Sequence, residues 1–188
     1  MPSTKLTLKD KQNILQVAHH AIQYGLTYKE PPVLELEKYS DNLKAQGASF
    51  VTLKEGNQLR GCIGTLEPYQ PLIQDVAEHA YAAAFNDPRF PPVNSIEEPL
   101  LHISVSILSP PSEIEFASEA DLLSQINPNV DGLILKFNGH KGTFLPSVWK
   151  DLPEKEIFLA HLKQKAGLDQ GFWHENIRVF RYTTDVID

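Results

Sequence analysis

Apolar residues recur at Ile14, Val17, Ala18, Ala21 and Ile22, three and four positions apart, which is the period of one helix face. Thr7 stands where an N-cap belongs, Asp10 follows in capping-box position, and Gly25 sits where a helix-ending glycine would. A second helical stretch is expected near Val33–Gln46, with Leu34, Leu36 and Leu43 among charges, although Pro31-Pro32 and Ser40-Asp41-Asn42 interrupt it. The period then shortens to two. Ser49–Glu55 and Gln58–Leu66 flank Gly56-Asn57 as the strands of a hairpin. In the second strand Leu59, Gly61 and Ile63 share one face and Arg60, Cys62 and Gly64 the other. With Leu59 and Ile63 turned to the core, Cys62 would look out beside Arg60.

A helix follows, with Gln70 near its cap, Pro71 in its first turn and Ile73, Val76, Ala77, Ala80 and Ala84 as its stripe. Its Ala82-Ala83-Ala84 run offers side chains small enough for another backbone to come close. Asn86–Pro99 holds four of the 14 prolines and reads as an irregular loop. Leu101–Leu108 alternates as a strand, Ala120–Ile126 is a short helix, and Gly132–Asn138 is a strand turned by Asn138–Gly142 into Thr143–Leu145. Ile157–Ala166 is a helix capped by Gly167, and Ile177–Tyr182 a closing strand. Adjacent hairpin strands with helices between them indicate an α+β fold with a mostly antiparallel sheet.

The 188 residues suit one domain, or one domain with a small lobe. A net charge of -7 argues against nucleic-acid or anionic-membrane binding, which needs basic surfaces. No apolar run approaches the ~18 residues of a membrane span, and the start Met-Pro-Ser-Thr-Lys leads into no apolar signal core. The single cysteine, Cys62, excludes an internal disulfide and a thiolate-built zinc site. A soluble, reduced, cytoplasmic protein is expected.

Cys62 is the first chemical candidate. A nucleophilic cysteine needs a lowered pKa, which Arg60 beside it would supply, and room around the sulfur, which Gly61 and Gly64 provide. Free cysteines are more often buried filler, and spacing does not choose a partner among His79, His102, His140, His161 and His174. The loop Asp87-Pro88-Arg89-Phe90-Pro91-Pro92 is the second candidate. Proline stiffens it, so Arg89 and Phe90 would meet an anionic or aromatic ligand, or Asp87 would pair with Arg89 and Phe90 plug the core. His102, Ser104 and Ser106 share a strand face without triad geometry, and His19-His20 point apart on a helix. No HExxH, paired CxxC, Walker loop or GxGxxG occurs, so neither a metal nor a cofactor is expected.

Five segments carry a family likeness in this order: Leu59-Arg60-Gly61-Cys62-Ile63-Gly64-Thr65, Asp87-Pro88-Arg89-Phe90-Pro91-Pro92, Ser104–Pro111, Phe144-Leu145-Pro146 and Lys165-Ala166-Gly167-Leu168. Together they resemble the AMMECR domain family, in particular its prokaryotic branch, AmmeMemoRadiSam system protein A, from about Leu15 to Tyr182. The resemblance implies a single domain over 8–183 with extensions at 1–7 and 184–188. It implies an α+β fold whose larger lobe holds an antiparallel sheet flanked by helices, with a smaller lobe packed on it. The hallmark strand would lie near the lobe junction and shelter Cys62 in a cleft. The resemblance further implies action with a Memo-type protein and a radical S-adenosylmethionine enzyme. It carries over Arg60 and Cys62 as the candidate site and Gly61, Gly64, Asp87, Arg89 and Phe90 as its ligand- or partner-binding wall. Three functions stay open: an enzyme using the Cys62 thiol, a non-catalytic module docking a partner through this strand and loop, and a hallmark that is purely architectural.

Overall fold

A computed structural model describes residues 5–188; residues 1–4, within the 1–7 extension expected from the sequence, lie outside the described residues. The chain forms two compact units, one running to Leu108 and including Asp185–Asp188, the other spanning Ser109–Thr184.

The first unit opens with α1 (Leu8–Tyr28), started by the expected capping box. The Asp10 N–H donates to Thr7 Oγ1 at 3.1 Å and the Thr7 N–H to Asp10 Oδ2 at 2.9 Å. The same carboxylate accepts from Ser40 Oγ at 2.6 Å and Asn42 Nδ2 at 3.2 Å, tying the cap to the following segment. Gly25 does not end the helix. It is buried within it, where the Tyr81 and Phe85 rings leave no room for a Cβ, and Lys29 forms the cap instead with φ 61. The helix expected at Val33–Gln46 is also absent: one 3₁₀ turn, Leu36–Lys38, and the single-turn α2 (Asp41–Lys44) stand in its place. Pro31-Pro32 cannot donate to a helix ladder, and the Ser40 hydroxyl is spent on Asp10.

β1 (Gln46–Gly47), β2 (Ser49–Glu55), β3 (Gln58–Gly64), β4 (Gln70–Pro71), α3 (Leu72–Phe85) and β5 (Leu101–Leu108) complete this unit's main body. β2 pairs antiparallel with both β3 and β5, and β1 with β4. Inward residues of the sheet, Val51, Leu53, Ile103 and Val105, form one core with the stripes of α1 and α3. A β-bulge breaks the hairpin register, with Leu53 opposite Gly61 but Lys54 opposite Leu59, so Arg60 has no cross-strand partner. The expected alternation therefore fails at one place: Ile63 packs on the core while Leu59 is 41% exposed.

The second unit contains β6 (Ser112–Ile114), α4 (Glu119–Gln125), β7 (Gly132–Phe137), β8 (His140–Phe144), α5 (Lys155–Lys165) and β9 (Arg178–Tyr182). Its antiparallel sheet runs β6-β9-β7-β8. Asn138 and Gly139, with φ 44 and 85, form the two-residue turn into β8. The core gathers Leu122, Leu133, Leu135, Phe158, Leu162 and Val179, with Trp149 stacked on Phe158 at 3.7 Å. Residues 184–188, expected as an extension, carry the last strand, β10 (Thr184–Ile187), which gives the first unit's sheet the order β10-β5-β2-β3 and buries Ile187 in that core. The fold is α+β, with antiparallel sheets flanked by helices. Among the described residues no helix is long and apolar enough to cross a membrane.

Candidate functional site

β3 is the last strand of its sheet, so one side of its backbone has no strand partner. The loop after α3 supplies that partner with side chains. Cys62 N–H donates to Asp87 Oδ2 at 2.9 Å, and Arg89 Nη2 donates to the Cys62 carbonyl at 3.3 Å. Arg89 also grips Asp87 with two forked bonds, Nε to Oδ1 at 2.9 Å and Nη2 to Oδ2 at 2.7 Å. The Arg89 and Phe90 N–H groups fold back on Asp87, and Val93 N–H donates to Ala84 O at 2.9 Å, fixing the loop to the end of α3. Asp87 is 4% exposed. The Arg89 guanidinium holds its carboxyl well below the usual carboxylate range; burial opposes this, and the Cys62 N–H adds to it.

The bulge sends Arg60 into the same loop rather than toward the sulfur. Its Nε donates to Glu97 Oε1 at 3.0 Å, and its Nη2 to the Pro91 carbonyl at 2.8 Å and Glu97 Oε2 at 3.3 Å. Arg60 is 8% exposed, and its Nη1 is buried without a partner among the described residues. Arg60's bonds, followed by the Asn94 N–H, lower the Glu97 carboxyl. Both cations lie over the Phe90 ring, its centre 5.9 Å from Arg60 Cζ and 5.4 Å from Arg89 Cζ.

Cys62 is half-buried, and its Sγ lies 3.4 Å from the hydroxyl of Thr52, its cross-strand neighbour. Within this unit His79 Nδ1 is committed to the buried Asp75 at 3.1 Å, and His102 is exposed. Gly61 and Gly64 act by what they leave out. A Cβ on Gly61 would strike the Ala83 carbonyl of α3, and one on Gly64 the Phe50 ring and the Ser49 carbonyl. The expected close approach at the alanine run is thus an approach to β3.

The structure brings together Gly61, Cys62, Asp87, Arg89, Phe90 and Arg60, but it divides the two arginines. Arg89 sits on the Cys62 backbone, and Arg60 belongs to Glu97. Glu97 and Thr52 were not singled out from the sequence. Asn94-x-x-Glu97 has the form of a local cap, and Asn94 Oδ1 does accept from Ile96 and Glu97 N–H, but no local pattern announces a partner 37 residues away. Cavities of about 550 Å³, beside α1, and about 450 Å³, beside β6, are lined by none of these residues. Among the described residues no three His, Cys, Asp or Glu side chains are grouped to hold a metal ion.

Comparison with known proteins agrees with this architecture. Protein MJ0810 of Methanocaldococcus jannaschii is 34% identical over 187 residues, covering 97% of this chain and 92% of its own. A protein of Methanothermobacter thermautotrophicus is 35% identical, covering 99% and 97%. The crystal structure of protein PH0010 from Pyrococcus horikoshii superposes with a TM-score of 0.83 at 34% identity, over 92% of this chain and 88% of that one. The AMMECR1 family profile matches residues 15–187, which take in every residue of the β3 edge and its loop, and the chain belongs to the AMMECR1 family.

Proposed function

We propose that the chain is a non-catalytic docking component that works with a Memo-type protein and a radical S-adenosylmethionine enzyme, presenting β3 and the Asp87–Pro92 loop to its partner. The partners come from the resemblance to the AmmeMemoRadiSam branch. One observation supports the docking role: each charged group at the site is already engaged within the fold. Asp87 holds Arg89 and the Cys62 N–H, Glu97 holds Arg60, and the sulfur's hydrogen-bond contact is the neutral Thr52 hydroxyl. A catalytic thiol needs a base or a cation directed at sulfur. A docking surface needs a loop held rigid before its partner arrives, because preorganisation lowers the entropic cost of association. Arg89, with its side chain 55% exposed, and Phe90 are the groups offered outward. This reading treats 8–183 as one functional domain and sets it in the reducing cytoplasm, where a lone half-exposed thiol persists.

Co-expression with the Memo-type and radical enzymes of the same genome tests it. Arg89→Ala should reduce co-purification of a partner at least tenfold, since exposed arginines beside aromatic rings are common binding hot spots. Cys62→Ala should leave both co-purification and pathway activity near wild type. Equal capture by wild type and Arg89→Ala would overturn the docking surface, and loss of pathway activity in Cys62→Ala with capture intact would return the thiol to a chemical role.

A further inference from the structure

The cavity of about 550 Å³ beside α1 shares no residue with the β3 edge. One wall is a ridge of rings one helical turn apart. His20 and Tyr24, which line the groove, have centroids 5.9 Å apart, and Tyr28 continues the row with its ring tilted against Tyr24 at 4.4 Å. Pro31, Pro32 and Val33 form the facing wall, and Tyr39 also lines the groove. The second wall is anchored: Tyr81 Oη donates to the Lys29 carbonyl at 2.7 Å, and Gln74 donates to the Pro32 carbonyl at 3.1 Å while accepting the Leu34 N–H at 3.2 Å.

That amide grip satisfies the backbone groups on either side of Val33, as a neighbouring strand would. The N–H and carbonyl of Val33 itself have no protein partner among the described residues, and the residue is 93% exposed. The charges here are uneven. Lys38 is held by Glu35 at 2.9 Å, whereas Glu30 forms no ion pair among the described residues. An open backbone, an aromatic wall and an uncompensated carboxylate fit one kind of occupant. We propose that this groove docks an extended peptide segment of a partner protein that carries an arginine or lysine next to an apolar side chain. The peptide backbone pairs with Val33, the apolar side chain lies on the Tyr24 and Tyr39 rings, and the cation meets Glu30. The chain's overall charge of -7 favours approach of a basic segment.

The test pans a phage-displayed library of random dodecapeptides against the full chain and measures the selected peptides, synthesised with a fluorophore, by fluorescence polarisation. A consensus of arginine or lysine beside leucine, valine or proline is expected. Glu30→Lys and Val33→Pro, both at exposed positions, should each weaken binding at least tenfold with the unfolding midpoint unchanged. Tyr24→Ala should weaken it similarly. Absence of a consensus, an acidic consensus, or affinities within twofold of wild type in Glu30→Lys and Val33→Pro would overturn the proposal. Self-association of the wild type that Val33→Pro abolishes would overturn it in favour of a second copy as occupant.

Discussion

Asp87 accepts the Cys62 N–H, an outward donor of β3 for which the sheet has no strand, and its two oxygens also carry Arg89. Removing it leaves a buried donor unsatisfied and a guanidinium without its counter-charge. Asp87→Ala is expected to lower unfolding stability in urea by about 3 kcal/mol, and Asp87→Asn, which keeps an acceptor for Cys62 N–H, by about half as much. Equal losses in the two variants would mean that charge, not backbone satisfaction, is the main role. Cys62→Ser is expected to stay within ~1 kcal/mol, because a serine hydroxyl at the half-buried site retains a partner in Thr52.

At the level of elements, the contact between α3 and β3 depends on a missing side chain. Gly61→Ala drives a methyl group into the Ala83 carbonyl, which is helix backbone and cannot rotate aside. A loss of about 3 kcal/mol or more in urea unfolding is expected; a loss under ~1 kcal/mol would show that α3 is free to move. Much of this architecture was legible because it is written locally. The capping box of α1, the alternation of Leu101–Leu108 and the turn opening at Asn138-Gly139 each lie within a few residues of what they specify, although β8 begins at His140, inside the Asn138–Gly142 stretch expected as turn. What was missed depends on distant contacts. Gly25 looks like a helix end until the Tyr81 and Phe85 rings, more than fifty positions later, claim the space of its side chain. The bulge at Arg60 has no signature in Leu59–Thr65, and with it went the expected pairing of guanidinium and sulfur; Arg60 instead reaches Glu97 across 37 positions. The Asp87–Arg89 pair was legible as an alternative because its partners are two residues apart.

Across the whole molecule, acid should act unequally on the two units. Burial alone would raise the Asp10 carboxyl, but bonds from the Ser40 hydroxyl, the Thr7 backbone and side chain, and Asn42 bring it down to about 2. Asp87 is held lower than an ordinary carboxyl by Arg89, and Glu97 by Arg60. Carboxyls lowered in the folded state stabilise it fully above their ordinary range and lose that contribution as pH falls from about 4 toward 2. All three belong to the first unit, whereas Glu113, lowered by Arg178 in the second, is exposed and its pair screened by water. Both tryptophans, Trp149 and Trp173, lie in the second unit. On acidification, far-ultraviolet circular dichroism should therefore change at higher pH than tryptophan fluorescence; coincident transitions would contradict this. The border of the first sheet at β3 has a separate consequence. A strand whose free side is filled by a carboxylate and a guanidinium offers no template for another chain, so the wild type resists sideways growth into fibrils and Asp87→Ala exposes a seam where such growth can begin.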